Sequence, residues 1–235
     1  MKKSIGILGG MGPLATADLF QKLVLLTEAA TDRDHIRVYI DSNANIPDRT
    51  AAILSGGQDP VPEMLKALRN LEACGADCVI MPCNTAHYFL PRLQAETDVP
   101  FLSILTAAAE ACKARFPGRT VGILATRGTL AAQLYQNSLA EAGVPFLTPE
   151  EPERDALMRV IYDGVKAGQG PEAYRADLRS VLDGMAARGA EVFLLGCTEL
   201  PVAAELLGVP FPTVDPTAEL ARAAIRFCGY SLRTE

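Results

Sequence analysis

Short apolar runs alternate with longer amphipathic segments along the whole of this 235-residue chain. Near-continuous Val/Ile/Leu runs are typical of strands that are covered on both faces, whereas apolar residues spaced three or four apart predict helices. The predicted strands span residues 5–8, 36–40, 78–81, 101–102, 121–124, 192–195 and 211–214. The predicted helices include residues 62–73, 130–142 and 174–188. This alternation predicts βαβ units with parallel sheets and right-handed crossovers, and therefore an α/β fold.

The two halves of the chain resemble each other. The stretch SIGILGGMGP begins at Ser4 and TVGILATRGT begins at Thr120, 116 residues later, while Cys83 and Cys197 lie 114 residues apart. Two landmarks with nearly the same spacing indicate an internal duplication. We therefore expect two similar α/β lobes related by a pseudo-twofold axis. The first lobe should comprise residues 1–103 with 212–235, and the second residues 104–211.

Cys83 and Cys197 each follow an apolar run, in CVIMPCNTAH and EVFLLGCTELP. Ligands of parallel α/β sheets bind at the carboxyl ends of strands, so a twofold axis would place the two cysteines on opposite walls of an interlobe cleft. Each cysteine precedes a predicted helix N-terminus, which favours a thiolate. A thiolate on one face of a carbon and a thiol on the other can remove a proton and return one, inverting the centre. Hydrogen-bond donors around a substrate carboxylate would stabilise the carbanion.

Other interpretations of Cys83 are less favoured. His87 lies four residues beyond it, which allows a Cys–His hydrolase, but the chain has two histidines in all and the duplicated cysteine favours a thiol pair. Cys74 and Cys78 with Cys83 and His87 could ligate a metal, yet they lack the spacing of a zinc knuckle. We expect no metal.

The first glycine-rich turn allows a second alternative. GMGPLA, residues 10–15, fits the G-x-G-x-x-A fingerprint of dinucleotide-binding proteins. However, Asp41 lies 31 residues beyond Gly10, where that fold places its acidic residue after roughly 20. With Pro13 as the first helical residue, the N–H groups of Met11 and Gly12 could hold a carboxylate as well as a phosphate.

Composition excludes several classes of protein. The net charge is −6 and Lys and Arg are scattered, which argues against a nucleic-acid partner. No apolar run approaches the ~18 residues of a membrane span. Lys2 and Lys3 precede an apolar run, but glycines and Asp18 interrupt it, so we expect no signal peptide. Six cysteines in an acidic chain of this size predict free thiols and a cytoplasmic protein.

Several motifs together identify a family. GILGGMGP, IPDRTAAIL, IMPCNTAH, GILATRGT, IYDGVKAG and GCTEL occur in this order. The chain resembles the aspartate/glutamate racemase superfamily, and most closely the cofactor-independent aspartate racemases. The resemblance implies two pseudo-symmetric lobes with an interlobe active site, a small dicarboxylic amino acid as substrate, no pyridoxal phosphate or metal, and a homodimer.

The resemblance also implies roles for individual residues. Cys83 and Cys197 would transfer the protons. Arg49 of the PDRT motif and Lys166 of the GVKAG motif would hold the side-chain carboxylate, although without the family they would be interpreted as solvated cations. The residues expected around the amino and α-carboxyl groups are Met11, Gly12, Asn84, Thr85, Thr126, Thr198 and Glu199. The predicted activity is interconversion of L- and D-aspartate.

Related branches of the superfamily fit less well. Glutamate racemases carry Asp-Ser in the first glycine turn and a His after the second Cys-Thr, where this chain has Gly9-Gly10 and Glu199. Arylmalonate decarboxylases use one cysteine, and hydantoin racemases have no obvious use for Arg49 with Lys166. Broad-specificity amino-acid racemases, including ones acting on glutamate, and maleate isomerases stay open as alternatives. A nucleotide-dependent oxidoreductase and a non-enzymatic binding module are more distant ones.

Overall fold

The computed structural model describes residues 2–234 and divides them into two compact units, residues 2–107 with 217–234 and residues 108–216. Each unit contains a four-stranded parallel sheet flanked by helices, as the alternating pattern predicts. The strand order is β2-β1-β3-β4 in the first sheet and β6-β5-β7-β8 in the second. No helix among residues 2–234 is long and apolar enough to span a membrane.

The strands are short, and helices precede or follow most of them. The strands are β1 Ile5–Gly9, β2 Val38–Ser42, β3 Cys78–Ile80, β4 Phe101–Leu102, β5 Val121–Ala125, β6 Phe146–Leu147, β7 Val192–Gly196 and β8 Thr213–Val214. The α-helices are α1 Pro13–Leu26, α2 Arg49–Leu54, α3 Val61–Cys74, α4 Leu90–Gln94, α5 Ile104–Arg115, α6 Arg127–Ala131, α7 Leu134–Ala142, α8 Glu151–Met158, α9 Arg175–Ala187, α10 Glu199–Leu207 and α11 Pro216–Phe227. Residues 2–234 also form three 3₁₀ turns, Asp32–Asp34, Thr85–Phe89 and Pro171–Ala173, and one π-helical segment, Arg159–Lys166.

The core of the first unit lies between its sheet and α3. Every residue of β1 and β3 is buried. Met64, Leu68 and Leu71 of α3 pack against Val79 and Met81 in one apolar cluster. Because each such side chain contributes about 1.5–3 kcal/mol on burial, this cluster fixes the strands whose ends carry the polar motifs.

The second unit is built in the same way. Every residue of β5 and β7 is buried. Leu157 of α8, Leu178 and Leu182 of α9, and Leu200 of α10 join Phe193 of β7 in its core. Helices thus cover the strand that leads to Cys197.

The register of the two sheets repeats the sequence duplication. Gly6 pairs with Val79 in the first sheet, and Gly122 pairs with Phe193 in the second. Positions 6 and 122 differ by 116 and positions 79 and 193 by 114, which are the two offsets found in the sequence. The duplication therefore extends to the hydrogen-bonded pairing of individual residues.

Two glycines of the central strands allow the same close approach in both units. A Cβ on Gly6 would lie 3.0 Å from the Cβ of Ala76, and one on Gly122 would lie 3.2 Å from the Cβ of Ala190. Ala76 and Ala190 follow the C-termini of α3 and α9 at equivalent positions. A side chain on Gly6 would push away the segment that follows α3, and one on Gly122 would push away the segment that follows α9.

Three predictions about elements need correction. The strand predicted at 36–40 lies at Val38–Ser42, and the strand β6, Phe146–Leu147, is absent from the predicted strands. The helix predicted over 130–142 is two helices, α6 and α7. Gln133 between them adopts a left-handed conformation with φ of 54°, which ends one helix before the other begins.

Candidate active site

The glycine-rich turn after β1 has no room for side chains at its start. Gly10 has φ of +88°, and a Cβ there would lie 2.3 Å from the backbone carbonyl group of Asn43. The N–H of Gly10 donates to Thr16 Oγ1 at 2.9 Å, which ties the turn to the first turn of α1. Gly12 is the N-cap of α1, and the Met11–Gly12 peptide is cis. Among the described residues, the N–H groups of Met11 and Gly12 have no protein acceptor, so a ligand anion could use them.

Arg49 joins this turn to the start of α2. Its Nη2 donates to the carbonyl of Met11 at 3.3 Å, while Nη1 donates to the carbonyls of Ile46 and Pro47. The Nε of Arg49 is buried and has no partner. A buried guanidinium N–H without an acceptor is costly, so a ligand oxygen placed here would be bound favourably.

Cys83 lies in the loop that follows β3 and is 7% exposed. Met11 of the glycine turn belongs to the same apolar cluster, because β1 and β3 are neighbours in the sheet. Asn84 and Thr85, both buried, follow Cys83 at the start of the 3₁₀ turn Thr85–Phe89. The predicted α-helix after Cys83 therefore begins as 3₁₀ and becomes α-helical only at Leu90.

His87 does not serve the thiol of Cys83. Its Nδ1 lies 2.9 Å from the carbonyl oxygen of Cys83, and its Nε2 lies 3.2 Å from the N–H of Ile104. Both ring nitrogens are thus engaged by main-chain groups. This arrangement removes the structural basis for a Cys–His hydrolase.

Cys197 follows β7 and contacts a carboxylate. Its Sγ donates to Glu199 Oε2 at 2.9 Å, and Thr198 Oγ1 donates to the same oxygen at 3.2 Å. Burial, together with the charge of Glu199, raises the pKa of the Cys197 thiol well above its ordinary value. The expectation that a helix N-terminus would favour thiolate here is wrong, because desolvation and a like charge both favour the neutral thiol.

Lys166 lies beside this second loop. Its Nζ is 3.8 Å from Glu199 Oε1 and 4.6 Å from the centre of the Tyr162 ring. Lys166 and Tyr162 belong to the π-helical segment Arg159–Lys166, and such segments are frequent at functional sites. Lys166 is therefore a neighbour of the Cys197 loop rather than an isolated solvated cation.

Thr126 completes the second cluster. It follows the end of β5, where Ala125 pairs with Gly196, the residue before Cys197. Its side chain accepts from the N–H of Thr129 at 3.2 Å and so caps α6. Thr126 is only 3% exposed. Burial and the bond to Thr129 together fix the position of its hydroxyl.

Comparisons with known proteins identify the family of this chain. The family model described as Asp/Glu/Hydantoin racemase matches residues 8–224. This chain belongs to the Asp/Glu/hydantoin racemase family. Family membership supports a racemase, which is a type of isomerase, and implies a small amino-acid substrate.

Individual relatives in this family differ in substrate. The chain is 30% identical to the Picrophilus torridus aspartate racemase, whose structure it matches with a TM-score of 0.86 over 98% of this chain and 96% of that one. It is 26% identical to the broad specificity amino-acid racemase RacX of Bacillus subtilis (strain 168), over 94% of this chain and 96% of that protein. It is 34% identical to a glutamate racemase of Deinococcus radiodurans, over 67% of this chain and 55% of that protein.

The structure of this racemase-family chain groups the sequence-predicted residues into two clusters, one at the strand ends of each unit. The first cluster comprises Met11, Gly12, Arg49, Cys83, Asn84 and Thr85. The second comprises Thr126, Lys166, Cys197, Thr198 and Glu199.

The sequence gives little signal for one neighbour of these clusters and suggests the wrong contact for another. Tyr162 lies under the ammonium of Lys166, and only the four-residue spacing between them could have indicated it. His87 was considered as a partner of the Cys83 thiol, whereas its ring bonds the Cys83 carbonyl.

Proposed function

We propose that this chain interconverts L- and D-aspartate by proton transfer at Cα, with Cys83 and Cys197 acting on opposite faces and without pyridoxal phosphate or a metal. One observation carries the proposal. Each cysteine follows the equivalent strand of a duplicated unit, β3 or β7, beside hydrogen-bonding side chains. A duplicated fold that keeps one thiol at each equivalent strand end is suited to a reaction that treats two mirror-image substrates alike.

Two thiols meet the requirements of racemisation. One, as thiolate, takes the Cα proton, and the other, as thiol, donates its proton to the opposite face of the carbanion. The Cα proton is far less acidic than a thiol, so the developing charge on the carboxylate must be stabilised by fixed donors. The unpaired N–H groups of Met11 and Gly12 are placed to supply them in this proposal.

The environment of Cys197 assigns it a resting state. With its pKa raised, Cys197 rests as a thiol that donates to Glu199. In that state it is the acid, and Cys83 is the base for one enantiomer. A turnover in this direction leaves Cys83 protonated and Cys197 as thiolate, which is the state that removes the Cα proton of the other enantiomer. The carboxylate of Glu199, 2.9 Å from the Cys197 thiol, accepts its hydrogen bond in the resting state.

Replacing Glu199 with Gln should therefore change the titration of Cys197. Removing the like charge lowers the pKa of the thiol, so the pH at which Cys197 becomes reactive should fall, although burial should keep it above that of an ordinary thiol. The measurement is the rate of iodoacetamide alkylation of Cys197 against pH, read by peptide mass spectrometry with Cys83 as the internal reference. An unchanged or higher midpoint in Glu199→Gln would show that the carboxylate does not control this thiol.

Two cations support a dicarboxylic substrate. Arg49 has a buried Nε without an acceptor, and Lys166 has its ammonium at the edge of the second cluster. A planar guanidinium suits a carboxylate, and an ammonium adds a second charge. Racemisation at Cα needs no contact with the side chain, so these cations would select the substrate rather than perform the chemistry.

Lys166→Met removes the charge and keeps most of the apolar stem. We expect kcat/KM for aspartate to fall about 10- to 100-fold, the loss of one charge-assisted hydrogen bond, with a much smaller change for alanine. Lys66→Met is the matched control, because Lys66 is an exposed lysine of α3 paired with Glu63. Arg49→Lys should act in the same direction as Lys166→Met. Equal losses on aspartate and alanine would mean that the cations hold the protein together instead.

The proposed function is tested by chiral analysis. Purified protein, treated with a chelator and free of added cofactor, is incubated separately with L- and D-aspartate, glutamate and alanine. We expect aspartate to racemise from either side with the highest kcat/KM. Comparable turnover of several amino acids would instead support a broad-specificity racemase, and absence of turnover on all of them would contradict the proposal.

A further inference from the structure

His87 is a buried histidine whose protonation is fixed by its neighbours. The group near its Nε2 is the N–H of Ile104, which can only donate, so Nε2 must accept. The ring is neutral, because burial lowers the pKa of His87 to about 4. The proton of the neutral ring is therefore on Nδ1, which donates to the carbonyl of Cys83 at 2.9 Å.

This bond replaces one that the main chain does not make. In an α-helix starting after Cys83, the N–H of His87 would donate to the carbonyl of Cys83, four residues earlier. Here the 3₁₀ turn directs that N–H to the carbonyl of Asn84 at 3.1 Å. The side chain of His87 supplies the missing donor to Cys83 instead. The same residue thus permits the tighter turn and satisfies the carbonyl left over by it.

We propose that His87 is a positioning residue for Cys83. By holding the carbonyl of Cys83 against the first residue of α5, the ring fixes the plane of the Cys83–Asn84 peptide. That plane sets the direction of the Asn84 N–H and the backbone angle from which the Cys83 thiol projects. The role rests on the proposed function of Cys83 in proton transfer, where a misplacement of about 1 Å costs on the order of 100-fold in rate.

Two substitutions separate the two bonds of the ring. In His87→Asn, the side-chain amide nitrogen reaches the position of Nδ1 and can donate to the Cys83 carbonyl, but the N–H of Ile104 loses its acceptor. In His87→Gln, the side-chain amide oxygen reaches the position of Nε2 and can accept from the N–H of Ile104, but the carbonyl of Cys83 loses its donor. The two variants bury amides of similar polarity, so each is the control for the other.

The kinetic readout is kcat and KM for both enantiomers of aspartate. We expect His87→Asn to keep kcat within a few fold, and His87→Gln to lose about 10- to 100-fold in kcat with little change in KM. Equal losses in the two variants, or full activity in His87→Gln, would overturn the proposal.

A second readout does not require turnover. Iodoacetamide alkylation should show an altered rate at Cys83 in His87→Gln and a wild-type rate in His87→Asn, with Cys197 unchanged in both. Equal changes at both cysteines would indicate general loosening of the fold and overturn the positioning role. Because alkylation reports on Cys83 in the absence of any substrate, failure of the proposed racemisation and failure of this inference are distinguishable.

A third readout uses the unmodified protein. Long-range ¹H–¹⁵N NMR correlates ring protons with ring nitrogens, and His35, the other histidine of the chain, is assigned with a His35→Gln variant. We expect His87 to stay neutral with its proton on Nδ1 from pH 6 to 9. A proton on Nε2 would contradict the proposal even if neither variant folds.

Discussion

Cys83→Ser and Cys197→Ser should each lose racemisation of aspartate by about 10³-fold or more. Each direction of the reaction needs one base and one acid, and a serine hydroxyl is far too weak an acid to replace a thiol in either role. General acid–base groups contribute on the order of 10²–10⁴-fold each, and groups that act as a unit are not additive. The double variant should therefore be little worse than either single one. The measurement is kcat/KM from L- and from D-aspartate.

Cys74→Ser is the matched control for this experiment. Cys74 is an exposed free cysteine at the end of α3, outside both clusters of candidate residues. It should keep wild-type activity. Substantial racemisation by either Cys83→Ser or Cys197→Ser, with the fold intact, would contradict the assignment of that thiol.

Gly10→Ala should cost the protein a large part of its stability. Gly10 combines a left-handed backbone, φ of +88°, with the carbonyl group of Asn43 only 2.3 Å from the position of a Cβ. The strained backbone costs about 1–2 kcal/mol, and displacing a main-chain segment adds to it, so we expect a total loss of about 4 kcal/mol or more. The measurement is urea unfolding, with racemisation of any folded fraction, since the turn also carries Met11 and Gly12.

Gly75→Ala separates the two contributions. Gly75 has nearly the same backbone angle, φ of +84°, but nothing lies within 4 Å of a Cβ there. Its substitution should cost about 1 kcal/mol from the backbone alone. Equal losses in the two variants would mean that the contact with Asn43 does not constrain the turn.

The fold could be predicted largely because buried parallel strands leave a strong pattern. β1, β5 and β7 are apolar along their whole length. The pairing of Gly6 with Val79 recurs as Gly122 with Phe193, so the duplication of the structure is also visible in the spacing of the sequence motifs. β4 and β6, with two residues each, carry a much weaker pattern, and the sequence predicts only β4. The break at Gln133 was invisible because its left-handed conformation occurs in a residue that does not favour it.

The candidate site was predictable in composition but not in electrostatics. The motifs located Cys197 and Glu199. Their spacing of two residues does not show, however, that the carboxylate of Glu199 accepts a hydrogen bond from the Cys197 thiol and raises its pKa. For His87, spacing from Cys83 suggested a partner for the sulfur. Only the 3₁₀ geometry of the turn directs its ring to the carbonyl instead. Local helix type, which spacing does not encode, decided the outcome for His87.

Incubation of L-aspartate in heavy water tests the central claim most directly. The protein is used without added pyridoxal phosphate or metal, and the earliest D-aspartate is separated and its Cα isotope measured. Two-base transfer predicts that this D-aspartate carries deuterium at Cα, because the returned proton comes from the opposite thiol, while the remaining L-aspartate keeps protium. D-aspartate that retains protium, or deuterium entering L-aspartate as fast as D-aspartate forms, would contradict the two-thiol account.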